Sequence, residues 1–229
     1  MPPPSYSSDH GAADIDQIRQ ASCACRSPWY YPNGRQRQCR SQLCPRPECR
    51  CKYAEKEAAI LRRSFAERPP DYFLTLRLTD GQATTARQLR RYLTTFTQRM
   101  RDCRKAQQTP MDYYIAVEFT GGQPHMHAAI ITSLQLTAYK FQALVSDWWS
   151  SSCPHRQTAV YCARVRNVMG LANYLPKFLR DRRHVEMPPR AWSSSACRLV
   201  WRSRGFLPRG KTALWREQLQ EWYPQGGTP

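Results

Sequence analysis

The stretch YYIAVEFTGGQPHMHAAIIT, residues 113–132, decides how the rest of the chain is read. Tyr113–Phe119 and Met126–Thr132 are β-rich runs joined by Thr120-Gly121-Gly122-Gln123-Pro124, and paired glycines between two such runs form a hairpin signature. In the second run His125 and His127 are two residues apart, so on a strand both imidazoles project from one face. Met126 then shares the opposite face with Ala128 and Ile130, a core stripe. Glu118 lies just across the hairpin; if it pairs opposite His125 or His127, all three side chains share one face and could bind a divalent metal. A slip of one residue would send Glu118 to the core side beside Ile115 and Val117, where an ionised carboxylate is costly to bury. The bland alternative is two partly exposed histidines with no ligand, and His-x-His alone is not specific, since amidohydrolases and cupins also use it on strands.

Outward from the hairpin, Tyr72–Leu78 alternates, with Leu74, Leu76 and Leu78 on one face and Thr75 and Arg77 on the other, which reads as a half-buried strand. Leu89, Tyr92, Leu93, Phe96, Met100 and Cys103 follow helical spacing over Thr85 to about Ala106. Phe141, Leu144, Val145 and Trp148 mark another helix, Thr158–Val165 another strand, and Leu171–Arg183 a further helix behind Gly170. A short helix over Ala54–Glu67 precedes the first strand. Strands and helices mix without a strict βαβ rhythm, so the expected class is α+β: a central antiparallel sheet with helices on one side.

The chain has 229 residues and a net charge of +18. The excess is mostly arginine, since Lys52, Lys56, Lys105, Lys140, Lys177 and Lys211 are the only lysines. Guanidinium suits bidentate contact with phosphate, so the expected partner is a nucleic acid. A hydrophobic fraction of 41% argues against wholesale disorder. No apolar run is long enough for a membrane span and the start lacks a signal-peptide core, so no membrane partner and a cytoplasmic location are expected.

Tyr174 and Lys177 are three apart and would share one helical face. A tyrosine hydroxyl can attack phosphorus once its proton is removed, and a nearby ammonium stabilises the charge that develops. Alone, such a pair usually means a core ring beside a solvated charge. In context, Phe73-Leu74-Thr75-Leu76-Arg77, Pro124-His125-Met126-His127 and Tyr174-Leu175-Pro176-Lys177 occur in the order of three motifs, the first a "FLTLT"-like strand. Together they resemble the HUH endonucleases, the replication initiators, relaxases and transposases that nick single-stranded DNA, and most of all the single-tyrosine rolling-circle replication initiators. The resemblance spans about half the chain.

It implies a ferredoxin/RRM-like nuclease domain over 71–186, with Mn²⁺ or Mg²⁺ held by His125, His127 and Glu118. By ligand softness, two imidazoles and a carboxylate favour Mn²⁺. Tyr174 would be the nucleophile, giving a 5′-phosphotyrosyl adduct and a free 3′-hydroxyl that primes synthesis, and Lys177 would assist electrostatically. Origin single-stranded DNA and the host replication machinery, helicase and polymerase, would be the partners. A transposase or relaxase with the same nuclease fold is the nearest rival. A zinc-stabilised, non-catalytic nucleic-acid-binding protein is the rival from another class. Two departures stand out: Phe178 occupies the place where some relatives carry a second tyrosine, and Pro176 fits only a first helical turn or a kink.

Residues 1–20 read as a flexible tail, and 21–70 as a Cys-rich segment ending in the short helix. Cys23, Cys25, Cys39, Cys44, Cys49 and Cys51 favour a structural Zn²⁺ over disulfides, although no Cys-x-x-Cys pair shows which four bind. Cys103, Cys153, Cys162 and Cys197 are expected to be ordinary reduced cysteines. Residues 187–229 read as a basic, aromatic extension, and Arg77, Arg180, Arg202 and Arg204 are the candidate DNA contacts. Gly205–Thr212 spells the phosphate-loop pattern GxxxxGK[ST], but too little chain follows for the remaining strands of an NTPase, so coincidence is expected.

Overall fold

A computed structural model describes residues 47–177, 199–207 and 213–214. Cys23, Cys25, Cys39, Cys44, Arg180 and most of the basic extension lie outside the described residues, as does most of the zinc expectation. Cys49 and Cys51 fall within the first helix, α1 (Pro47–Glu67), which starts earlier than the expected Ala54.

β1 (Tyr72–Leu78) follows, with the alternation its sequence dictates. α2 (Ala86–Gln107) opens on a capping box between Thr85 and Gln88 and buries the stripe Leu89, Tyr92, Leu93, Phe96 and Met100. β2 (Met111–Thr120) and β3 (Gln123–Thr132) form the hairpin. Its turn is Gly121 and Gly122 alone, with φ of 58° and 71°, because a tight hairpin whose twist matches the strands needs positive φ at both positions. α3 (Ala138–Ser152) buries Phe141, Val145 and Trp149. Trp148, expected in that stripe, is only half-buried, while the Trp149 indole donates to Arg77 O at 3.0 Å and ties the helix to β1. β4 (Thr158–Arg164) and the short α4 (Val168–Tyr174) complete the region predicted from the hairpin.

The sheet is antiparallel throughout, in the order β4-β1-β3-β2-β5. Its fifth strand, β5 (Val200–Arg202), comes from the segment expected as an extension and pairs with β2. One face, with Leu74, Leu76, Met126, Ile130 and Val117, packs beneath α2 and α3, where Tyr72 stacks on Phe141 at 4.1 Å and Phe96 meets Trp149 edge-on. The expectation of helices on one side only is corrected here, because α1 and α4 cover part of the opposite face. Tyr114 on that face meets Phe206, which in turn meets Phe65 of α1, and Arg62 of α1 donates to Asn173 of α4 at 2.7 Å.

Two carboxylates, the half-buried Asp80 and the buried Asp112, lock the frame. Asp80 takes a two-pronged pair from Arg156, fastening the loop after β1 to the start of β4. Asp112 accepts from Arg68 at 3.0 Å and Ser203 at 2.8 Å, joining α1, β2 and the turn after β5. No helix among the described residues is long and apolar enough to cross a membrane.

Candidate metal and nucleophile site

The hairpin register puts Glu118 directly opposite His125 and Ala116 opposite His127, so Glu118 faces one histidine and sits diagonal to the other. This is the metal-facing register of the two that the sequence allowed. His125 Nε2 lies 3.4 Å and His127 Nε2 3.6 Å from Glu118 Oε2. One donor atom from each residue falls within 4.8 Å of the others, so the group could hold a metal ion.

The residues fit an ion on a separate observation. Glu118 is only 5% exposed, and its second oxygen, Oε1, is buried with no hydrogen-bond partner among the described residues. A buried carboxylate oxygen left unpaired is costly, and a cation is the partner that would satisfy it. Burial alone would raise the Glu118 carboxyl, but the imidazoles of His125 and His127 and the Lys177 ammonium outweigh it and hold the group at about 2. Burial lowers His127 below its ordinary value, with Glu118 opposing. At neutral pH the site thus offers a carboxylate and a neutral imidazole at His127, the forms a metal requires.

Two residues of the first motif, assigned no site role from sequence, orient His127. Thr75 Oγ1 stands 3.1 Å from its Nδ1, and the Phe73 ring stacks on the imidazole at 5.4 Å. Both come from β1, where alternation had already assigned Thr75 to the face away from the leucines; the missing signal was which partner it would meet. With the Nδ1 proton donated to Thr75, Nε2 keeps its lone pair for a ligand. Thr120 Oγ1 stands 3.4 Å from His125 Nδ1 in the same way.

The nucleophile candidate reaches the cluster from the other side. The Tyr174 hydroxyl is 3.2 Å from His127 Nε2, and its ring meets Phe73 and His127 edge-on. Lys177 Nζ sits 3.8 Å over the Tyr174 ring and 3.6 Å from Glu118 Oε2. The two are neighbours, as expected, but not as members of one long helix. α4 runs only from Val168 to Tyr174, with Gly170 inside it and Asn167 capping it by accepting from Gly170 N at 2.7 Å. Leu175 keeps right-handed helical dihedrals and donates to Leu171 O, residues 175–176 form a turn, and Lys177 is helical again, so helical reach places it over the ring.

Arg77 shares the face of the cluster, opposite His125 and exposed. Arg202 pairs opposite Tyr114, four residues along β2 from Glu118, and Arg204 stands exposed in the 3₁₀ turn Arg204–Phe206; the structure does not bring these two into the cluster. Cys153 and Cys162 are buried, which pushes their thiols up to about 12 and about 11, and so they stay protonated and inert as expected. The phosphate-loop match fails in its described part. β5 is an antiparallel edge strand rather than a parallel one, Gly205 O accepts from Arg68, and Phe206 is buried with its carbonyl accepting from Ser64.

Residues 71–180 match the family model described as replication-associated protein ORF2/G2P. No curated protein and no solved structure gives a significant match. The matched stretch contains β1 to β4, Glu118, both histidines, Tyr174 and Lys177.

Proposed function

We propose that this chain is a replication initiator of the rolling-circle type, which nicks single-stranded DNA at an origin through a tyrosine nucleophile. The observation that carries the reading is the convergence of the Tyr174 hydroxyl, at 3.2 Å from His127, and Lys177, at 3.6 Å from Glu118, on a group of ligands fit for a metal. The match to a replication-associated family supports replication initiation, and the net charge of +18 supports DNA as the substrate.

Glu118, His125 and His127 would hold a divalent ion, and the chemistry it supplies there is polarisation of the scissile phosphate. The chain's own side chains do the rest. Thr75 and Phe73 hold the His127 ring in place. Tyr174 gives up its hydroxyl proton to solvent and its oxygen attacks phosphorus; the new O–P bond replaces the bond to the 3′-oxygen, which leaves as a free hydroxyl after taking a proton from water. Lys177, against the ring, lowers the cost of the phenolate as it forms. The exposed guanidinium of Arg77 faces the same space and would contact the strand's phosphates. Rejoining is the reverse step, with a 3′-hydroxyl attacking the phosphotyrosine.

The test is to incubate the full chain with single-stranded origin-like oligonucleotides and Mn²⁺ and look for a protein–DNA band that survives denaturant. The wild type is expected to form it and Tyr174→Phe to form none. An adduct that persists in Tyr174→Phe refutes the nucleophile. No adduct with any DNA, although DNA still binds, leaves the non-catalytic binding module as the better reading.

A further inference from the structure

β4 presents an unusual side chain beside the site. Its residues Ala159, Tyr161 and Ala163 pair with Arg77, Thr75 and Phe73 of β1, so they share the face that carries His125, His127 and Glu118. Tyr161 is 60% exposed although it sits mid-strand, and among the described residues its side chain makes no hydrogen bond, ion pair or ring contact. Its neighbours along that face of β4, Ala159 and Ala163, are both small. Its row across the sheet runs Tyr161, Thr75, His127, which places the ring two strands, about 10 Å, from a metal ligand. Diagonally between Tyr161 and His125 stands Arg77, exposed, its guanidinium without a hydrogen bond or ion pair among the described residues.

An open aromatic ring beside an unpaired guanidinium, on the sheet face of a chain with net charge +18, has the chemistry of a single-strand binding platform. A duplex keeps its bases stacked on one another and cannot use the ring, whereas an unpaired base can lie flat on it. We propose that Tyr161 is the stacking platform for one unpaired base of the DNA strand, with Arg77 holding an adjoining phosphate, so that this part of the face selects single strands for the Tyr174 centre. The inference takes its ligand, though not its geometry, from the reading of function given above.

The test is a binding measurement without chemistry: anisotropy of the full chain with a fluorescein-labelled oligothymidine and with a duplex of the same length, both in EDTA. Tyr161→Ala is expected to weaken single-strand binding by about 5- to 150-fold, the range of one stacked base, and to leave duplex binding nearly unchanged. Tyr161→Phe, which keeps the ring and loses the hydroxyl, is expected to stay within about twofold of wild type on the same scale. Ultraviolet cross-linking of 5-iodouracil oligonucleotides, read by peptide mapping, should attach DNA to Tyr161. Single-strand binding that survives Tyr161→Ala, equal losses for both DNAs, or cross-links mapping only elsewhere would overturn the inference. Because these readouts need no metal, they separate from the adduct assay. An adduct with no Tyr161 effect sinks this proposal alone; a Tyr161 effect with no adduct sinks the nuclease and leaves the platform.

Discussion

Replacing the candidate nucleophile should make the protein bind manganese more tightly. If the Nδ1 proton of His127 goes to Thr75 at 3.1 Å, its Nε2 has a single lone pair, and the Tyr174 hydroxyl, 3.2 Å away, is placed to donate to it. A metal that takes Nε2 must therefore displace the hydroxyl. Tyr174→Phe removes the competitor while keeping the ring that packs on Phe73. A neutral hydrogen bond is worth about 0.5–1.5 kcal/mol net, and one this long belongs in the lower half of that range, so the gain is about 0.5–1 kcal/mol. That corresponds to about 2- to 5-fold tighter binding. Lys177→Met removes the second competitor, the ammonium 3.6 Å from Glu118 Oε2, and should act in the same direction. The effect should be smaller and salt-dependent, because Lys177 is 40% exposed and screened by water. Calorimetric titration of MnCl₂ into each metal-free protein, with no DNA present, reads both effects directly. Weaker binding by Tyr174→Phe would mean the hydroxyl is itself a ligand, and unchanged binding would mean it does not compete; either result refutes the reasoning.

Three further outcomes follow from the same geometry. Thr75→Val should cut metal affinity by about 10- to 100-fold with little change in melting temperature, and Thr75→Ser should restore it, since the hydroxyl orients His127 rather than filling space. At Gly170 an added Cβ would come 2.7 Å from Asn167 Nδ2, so Gly170→Ala should dislodge the cap of α4 at about 1 kcal/mol and slow adduct formation while manganese affinity holds. Asp80→Asn takes the opposing charge from Arg156, which keeps Thr84 Oγ1 and Gln82 O as acceptors, and should cost about 1–3 kcal/mol, or roughly 3–10 °C in melting temperature. Its pH signature has a definite sign. Arg156 holds the Asp80 carboxyl far below the ordinary value, so its contribution is full above about pH 4 and is lost as pH falls toward the depressed value. The gap in melting temperature between wild type and Asp80→Asn should therefore stay constant from neutral pH down to about 4 and narrow below it.

The strands and the amphipathic α2 were legible because each has one buried face, and burial of one face imposes a period. Tyr72–Leu78 is met in full, and helical spacing selects five of the six residues buried along α2 from Leu89 to Met100, missing Thr97; Cys103, also selected, is only half-buried. The hairpin register was legible up to a choice of two, and the cost of burying Glu118 among apolar side chains decided it. What was not legible depends on tertiary partners. β5 has three residues, too few to show a period, and pairs only because β2 offers an open edge. The helices on the site face escaped notice because nothing in α1 shows that Phe65 meets Phe206, which lies far along the chain. Tyr174 and Lys177 were chosen by spacing on one helix; α4 breaks into a turn at 175–176, and the pairing survives because Leu175 keeps helical dihedrals and Lys177 is helical again.

The site is assembled from parts that differ in how firmly they are fixed, and that difference suits its use. Glu118 and both histidines stand on the central strands of a five-stranded sheet, where their mutual placement is set by hairpin register rather than by loop conformation. A one-residue slip would turn every side chain of β3 over, so His125 and His127 cannot drift relative to Glu118 without unpairing the strand. Tyr174, by contrast, ends the seven-residue α4 and Lys177 follows the turn after it; these are held by the Asn167 cap, the buried Leu171, Ala172 and Leu175, and the hydrogen bond from Arg62 to Asn173. A rigid ligand set keeps the ion's position constant while phosphate geometry changes, which electrostatic stabilisation of a transition state requires. On the proposed reading, a tyrosine at the end of a short element would exchange its contact with His127 for a bond to phosphorus without altering the register of the sheet. Hairpin register thus fixes the ligand set, while the placement of Tyr174 depends on the packing of α4 against α1 and β1; on the proposed reading it is the second that must yield when the tyrosine attacks phosphorus.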